Sequence, residues 1–204
     1  MNQNILLVFS GPSGTGKGTI CKQILNENPA IKCSISATTR LPRVGEINGI
    51  NYWFTSKQDF CEMIEKDELL EWAEVYDNYY GTPISKLQEM LKYDDVILEI
   101  DIQGALQVKK KFPHAVLIYI LPPSIDDLVK RLYQRGTDSV ETIEKRLSLA
   151  REEIAQAINY DYVVINDKID RAVDKIMAII MAEHCKVMRN QEIIKNISES
   201  RGGV

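Results

Sequence analysis

The stretch "FSGPSGTGKGTI", Phe9–Ile20, decides how the rest of the chain is read. Gly11, Gly16 and Lys17 have the GxxxxGK spacing of a phosphate-binding loop. The next residue departs from the pattern: Gly18 stands where Ser or Thr is usual, and the hydroxyl arrives one position later, at Thr19. The flanks fit the motif. "ILLVF", residues 5–9, is an all-apolar run ending at a Ser-Gly-Pro turn, as in a strand buried on both faces. "KGTICKQILNEN" carries apolar residues at the helical spacing Ile20, Ile24, Leu25 and stops near Pro29. In a strand–loop–helix of this kind the N–H groups from Gly11 through Pro12, Ser13, Gly14, Thr15, Gly16, Lys17 and Gly18 to Thr19 (Pro12 excepted) form a nest for phosphate oxygens. The helix adds its positive end and Lys17 a point charge.

Outward from the loop, "DVILEIDI", "AVLIYIL" and "YVVIND" predict three more buried strands. "QGALQVKKKFP" predicts a helix between the first two, and a long helix follows from about 168 to 189. Strands alternating with helices imply an α/β fold, a parallel sheet flanked by helices. Residues 34–93 break the rhythm. Turn-rich "LPRVGEINGINYWF" leads into a short strand; "SKQDFCEMIEKDE" is helical with Ser56 as N-cap; "LLEWAEVYDNYYGTP" is strand, turn, strand before a helix starting at Pro83. A second departure is "RLYQRGTDSVETIEKRL", two helices broken at Gly136. The expected organisation is a core of residues 1–33, 94–123 and 160–190, an inserted mixed lobe at 34–93, a helical lid and following helix at 124–159, and a tail at 191–204, its end frayed.

Of the 204 residues, 45% are hydrophobic and 26% charged, an ordinary globular mixture. The 25 Lys and Arg against 29 Asp and Glu, net −4, give no basic footprint for nucleic acid. Cys21, Cys33, Cys61 and Cys185 lack CxxC spacing and read as buried or idle thiols of a reducing compartment. With neither a signal-peptide pattern nor an apolar run of bilayer length, a cytoplasmic protein with no membrane partner is expected.

Gly18 shapes the metal expectation. Without a hydroxyl after Lys17, Mg²⁺ should be held mainly by phosphate oxygens and water, with Thr19 and Glu99 as candidate protein contacts. The Gly-Lys-Gly-Thr form resembles the loops of nucleoside monophosphate kinases more than those of GTPases.

The segments "GPSGTGKGT", "SATTRLPRVGEINGINYWF", "LLEWAEVYDNYYGTP", "LEIDIQG" and "PPSIDDLVKRLYQRG" together resemble guanylate kinases, over about residues 5–185. The resemblance implies transfer of the γ-phosphoryl of ATP to GMP, and to dGMP, with Mg²⁺, in a core, GMP-binding lobe and lid. It implies Glu71 and Asp101 on the guanine donors and Ser36 and Thr82 at O6. It places Arg40, Arg43, Tyr52 and Tyr80 on the GMP phosphate, Arg135 and Arg146 on the transferring group with Arg131 beside them, and Asn166 near adenine. The chemistry agrees. Guanine offers donors at N1 and N2 and an acceptor at O6, so a carboxylate and a hydroxyl complement it. In "LLEWAEV" strict alternation would put Glu71 on one face with Leu69 and Ala73 and turn Trp72 away. Two arginines three apart across a Leu-Pro bend suit one phosphate dianion. Arg131 and Arg135 share a helix face. No general base is needed, because the accepting phosphate is already an anion.

Two rivals remain at this point. One is a peptide-binding module of the kind scaffolding proteins build from this fold. Lys17, the intact loop and both arginine clusters argue against it. The other is a kinase for AMP or a pyrimidine monophosphate, disfavoured by Glu71 with Asp101. Monomer and homodimer are both compatible with the sequence. His114 and His184 receive no role.

Overall fold

The computed structural model describes residues 4–75, 77–134 and 140–199. Strand β1, Leu6–Ser10, is buried throughout and forms the middle of a five-stranded parallel sheet. Its order is β2 (Ile31–Cys33), β7 (Asp95–Glu99), β1, β8 (Val116–Leu121) and β9 (Tyr162–Ile165). Successive β1 residues serve opposite faces. Ile5, Leu7 and Phe9 pack with Ile20 and Ile24 of helix α1 (Lys17–Glu27) and Ile176 and Ile180 of helix α7 (Ile169–His184). Leu6 and Val8 pack with Leu87 of α3 (Ile84–Met90) and Ala105 and Val108 of α4 (Ile102–Lys111). Helices on both faces explain the continuous apolar run in β1.

The chain leaves β1 toward β2 on one side, whereas β8 and β9 lie on the other. That reversal opens a crevice beyond the carboxyl end of β1, where parallel α/β sheets bind ligands. The Gly11–Gly16 loop lies there.

Between β2 and β7 the chain builds a second sheet in the order β4 (Trp53–Phe54), β3 (Ala37–Thr38), β6 (Asn78–Pro83) and β5 (Leu69–Val75). Its core is Ala37, Phe60 of helix α2 (Lys57–Glu65) and Leu69, with Phe60 stacked on Tyr79 at 5.5 Å. Ser56 caps α2 by accepting from Asp59 N. Helices α5 (Ile125–Gln134) and α6 (Val140–Ala155) pack through Leu128, Leu132 and Ala150. Gly136 lies outside the described residues.

Four details differ from the expectations. The parallel sheet has a fifth strand, β2, only three residues long and taken from the end of the segment assigned to the core. The long helix ends at His184 rather than near Arg189: Asn190 folds back, and its Nδ2 donates to the His184 carbonyl at the helix end and to the Lys186 carbonyl just beyond it. Residues 191–199 of the expected tail are helix α8 (Gln191–Glu199). Alternation in β5 fails at a bulge between Leu69 and Trp72, so that Leu69, Leu70 and Glu71 are all buried.

Candidate active site

The loop is closed by its own atoms. Thr15 Oγ1 donates to Pro12 O at 3.0 Å. Gly16, at φ 90°, caps α1, a conformation a side chain disfavours. A Cβ on Gly11 would stand 2.3 Å from Ile120 O of β8, so only glycine lets the loop leave the sheet here. Gly18 is different. It lies in α1, outside the positive-φ glycines, and a Cβ there would sit 3.4 Å from Glu99 Oε2.

Beyond the loop is a cavity of about 770 Å³, lined by Ser13, Gly14 and residues 16–19 of the loop and helix start together with Glu99, Arg131, Asn166 and Asp167. That volume suits a nucleotide-sized ligand. Lys17 Nζ donates back to Gly11 O at 2.5 Å and Pro12 O at 3.2 Å. Burial pulls its pKa down, opposed by the charges of Glu99, Glu153 and Asp101. Burial in turn raises the pKa of Glu99 and of Glu153, and Lys17 opposes both shifts.

Three distant segments converge on the loop. Arg131 of α5 donates to Thr15 O at 3.3 Å and Asn166 O at 2.8 Å. Asn166, just past β9, is buried; its Nδ2 donates to Thr15 O at 2.8 Å, while its Oδ1 has no partner among the described residues. Arg146 of α6 donates to Ser13 Oγ at 3.1 Å. Arg135 lies outside the described residues.

A second group assembles on the other sheet. Strand β3 pairs with β6 through Ala37–Gly81 and Thr38–Tyr80; Ser36 precedes β3 and Thr82 follows Gly81, so both lie toward the same end of this antiparallel pair. On the far side of Thr82 is Glu71. Thr82 Oγ1 donates to Glu71 Oε1 at 2.7 Å, and both residues are buried. Burial pushes the Glu71 carboxyl up to about 7; the Thr82 bond opposes the shift and the Asp101 charge adds to it. Asp101 itself caps α4, Oδ1 accepting from Gly104 N at 2.8 Å. Thr82, Glu71 and Asp101 thus form one polar wall, with Ser36 one residue before the neighbouring strand β3 and a carboxyl that burial pushes toward its protonated form.

Further along this sheet Arg40 makes paired bonds to Glu46, at 2.8 and 3.0 Å, and lies 5.4 Å from the Tyr52 ring centroid. Tyr52 and Tyr80 meet edge to face at 6.0 Å. The Glu46 carboxylate, and to a lesser degree the Tyr80 hydroxyl, favour the charged Arg40 against the cost of desolvation. Arg43 is exposed, and its backbone N–H donates to Glu46 Oε2 at 2.7 Å. The structure therefore gathers Arg40, Tyr52 and Tyr80 around one point and leaves the Arg43 side chain at the rim.

Sequence reasoning missed three participants. Glu46 orders the arginine loop; its signal was an acid three residues from Arg43. Glu153 lines a smaller cavity of about 320 Å³ with Gly11, Ser13, Lys17 and Asp101. It stands seven residues after Arg146, two helical turns along one face of α6, and Tyr119 OH pins its carbonyl at 2.6 Å. Gln107 of α4 pairs both amide atoms with the Trp72 backbone, at 3.2 and 3.0 Å, as a neighbouring strand would. No local sequence signal marks that long-range contact. Among the described residues no trio of His, Cys, Asp or Glu is grouped to hold a metal, and no helix is long and apolar enough to cross a membrane. All four cysteines are free thiols.

A family model described as guanylate kinase matches residues 3–183. A guanylate kinase of Caldanaerobacter subterraneus subsp. tengcongensis is 56% identical over 97% of this chain and 96% of its own length. One of Clostridioides difficile is 51% identical over 95% of each. The crystal structure of a guanylate kinase from Anaplasma phagocytophilum superposes with a TM-score of 0.73 at 32% identity, covering 93% of this chain and 90% of that one.

Proposed function

The chain belongs to the guanylate kinase family, and on that premise we propose that it transfers the γ-phosphoryl group of ATP to GMP, giving ADP and GDP. The observation that carries the choice of acceptor is the buried Glu71 carboxyl, bonded to Thr82. The lone pairs of an ionised Glu71 accept guanine N1–H and N2–H, with Asp101 sharing N2 through the oxygen its cap leaves over. In the free protein Thr82's proton occupies Glu71; the arriving guanine donors replace it and release Thr82 to join Ser36 at O6. Adenine, with an acceptor at N1 and a donor at its exocyclic amine, leaves these groups mismatched. dGMP has the same base and phosphate and should also be a substrate.

Arg40, Arg43, Tyr52 and Tyr80 take the GMP phosphate, with Glu46 holding Arg40 in place until a dianion competes for it. At the other end, the nest from Gly11 to Thr19 holds the ATP phosphates. Lys17 leaves the Gly11 and Pro12 carbonyls for the phosphoryl oxygens, where a fixed cation in a dry site stabilises the transferring group. Arg146, already against Ser13, and Arg135 add charge from the lid side. Arg131 braces the loop against β9. The unpartnered Asn166 Oδ1 suits the adenine amine. The residues also fit Mg²⁺. Glu99 and Thr19 line the cavity without forming a cage, as suits an ion that keeps its waters and phosphate ligands. When bound it neutralises charge on the β- and γ-phosphates.

These assignments divide the chain into an ATP-binding core (1–33, 94–123, 160–190), a GMP-binding lobe (34–93) and a lid (124–159). Four free thiols accord with a reducing cytoplasm. The reaction is tested by following ADP formation from ATP with GMP, AMP, CMP, UMP and dTMP offered separately. GMP should be the acceptor by a wide margin. Faster turnover of any other monophosphate overturns the reading.

A further inference from the structure

Gly104 lies in the first turn of α4, a place where glycine costs helix stability and where most side chains would be tolerated. Its neighbours explain its use. A Cβ built there would stand 2.8 Å from Glu71 Oε2, 3.3 Å from Ile100 Cδ1 and 3.4 Å from Asp101 Oδ1. Real Cβ atoms do not approach an oxygen that closely. The atom forced to move would be the free end of a side chain, so the fold could absorb the change cheaply. The position of the Glu71 carboxylate would not survive it. Its other oxygen is tied to Thr82 at 2.7 Å, and its strand is tied to the same helix through the Gln107–Trp72 amide pair.

We propose that Gly104 is a specificity-determining position: the missing side chain on α4 makes the space that the Glu71 carboxylate occupies and so sets where the base is recognised. Gly104 touches no substrate and acts through Glu71. The inference rests on the assignment of Glu71 to guanine. Moving a recognition group by a fraction of an ångström to an ångström is enough to lose most of its contribution, on the order of 10²-fold when alignment is critical.

The test is a double-mutant cycle of Gly104→Ala with Glu71→Asp, read as KM and kcat for GMP, the kcat/KM ratio of GMP to AMP, the Kd for ATP and Tm. Gly104→Ala should raise the KM for GMP about tenfold or more and narrow the GMP-to-AMP ratio. Its ATP Kd should stay within about twofold and its Tm should not fall, because alanine is the better helix former. Aspartate is one methylene shorter and withdraws from the added methyl. Gly104→Ala should therefore cost little more in the Glu71→Asp background, a non-additivity that a purely structural glycine would not give. An unchanged KM for GMP, additive costs, or a Gly104→Ala chain that fails to fold overturns the proposal. Glu71→Gln separates this from the functional reading. If it leaves GMP affinity intact, the guanine assignment itself fails; if it weakens GMP while Gly104→Ala does not, only the role of Gly104 fails.

Discussion

The two ends of the site are built by different means. The end around Gly11–Thr19 is mostly backbone, made by nine consecutive residues that run from the end of one strand into the first turn of one helix. The end around Glu71 is all side chain, drawn from β5, β6, the residue before β3 and the cap of α4. A backbone nest binds any phosphate; a buried carboxyl set among hydroxyls distinguishes one base from another. Substitutions at the two ends should therefore separate turnover from acceptor choice.

The largest effect should come from the phosphate end. Lys17→Met should lower kcat about 10³-fold in an ADP-release assay, because it removes an aligned cation from a site that burial keeps dry. Turnover within tenfold of the parent would take Lys17 out of the transfer step. At the base end, Glu71→Gln puts an amide where two acceptors are required. The kcat/KM for GMP should drop about 10²-fold or more while that for AMP barely changes. An unaltered ratio between the two would contradict the polar wall as the selector.

How much could be read in advance follows the same division. The loop, its strand and its helix were legible because motif, flanks and function are local. The lobe's residues were reached only through resemblance, since the contact of Thr82 with Glu71 depends on strand register. The register itself deviates at the Leu69–Trp72 bulge, which alternation does not predict. Strand β2 was missed because "IKC" is three residues long and sits between turns. Helix α8 was missed because its apolar Ile193, Ile194 and Ile197 lie in a short segment that was assigned only as a tail. Asp101 carries a second job that the resemblance does not imply, the cap of α4. The cap is realised through one oxygen, and the proposed ligand role uses the other.

A third, smaller effect concerns pH. Glu71 sits at about 7 because burial disfavours its charge, and the proposed guanine contact needs it ionised. The KM for GMP should rise about tenfold between pH 8 and pH 6. The nucleotide phosphate, with its own ionisation near 6, adds a lower-pH component. Glu71→Gln should lose the component near 7 and keep the lower one. Stability moves the opposite way. The native state binds this proton more tightly than the unfolded chain, so wild type loses stability as pH climbs from about 4.5 to about 7. Glu71→Gln should gain roughly 5 °C in Tm over wild type at pH 8 and nothing near pH 5. The same Tm difference from wild type at both pH values would mean the carboxyl titrates normally.

The smallest effect returns to the loop. Gly18 has an ordinary helical backbone and faces Glu99 across 3.4 Å of would-be contact. Gly18→Ser should fold, with its hydroxyl able to reach Glu99, and keep kcat within about threefold, the scale of a surface-like change. A folded variant that no longer binds ATP would show that Gly18 keeps the loop clear for the phosphates.

The central claim, two ends that can be disabled one at a time, is tested most directly by calorimetric titration of GMP into wild type, Lys17→Met and Glu71→Gln. GMP should bind Lys17→Met within about twofold of wild type and Glu71→Gln at least tenfold more weakly, the cost of leaving buried polar groups mismatched. GMP affinity lost in Lys17→Met and retained in Glu71→Gln would contradict the account.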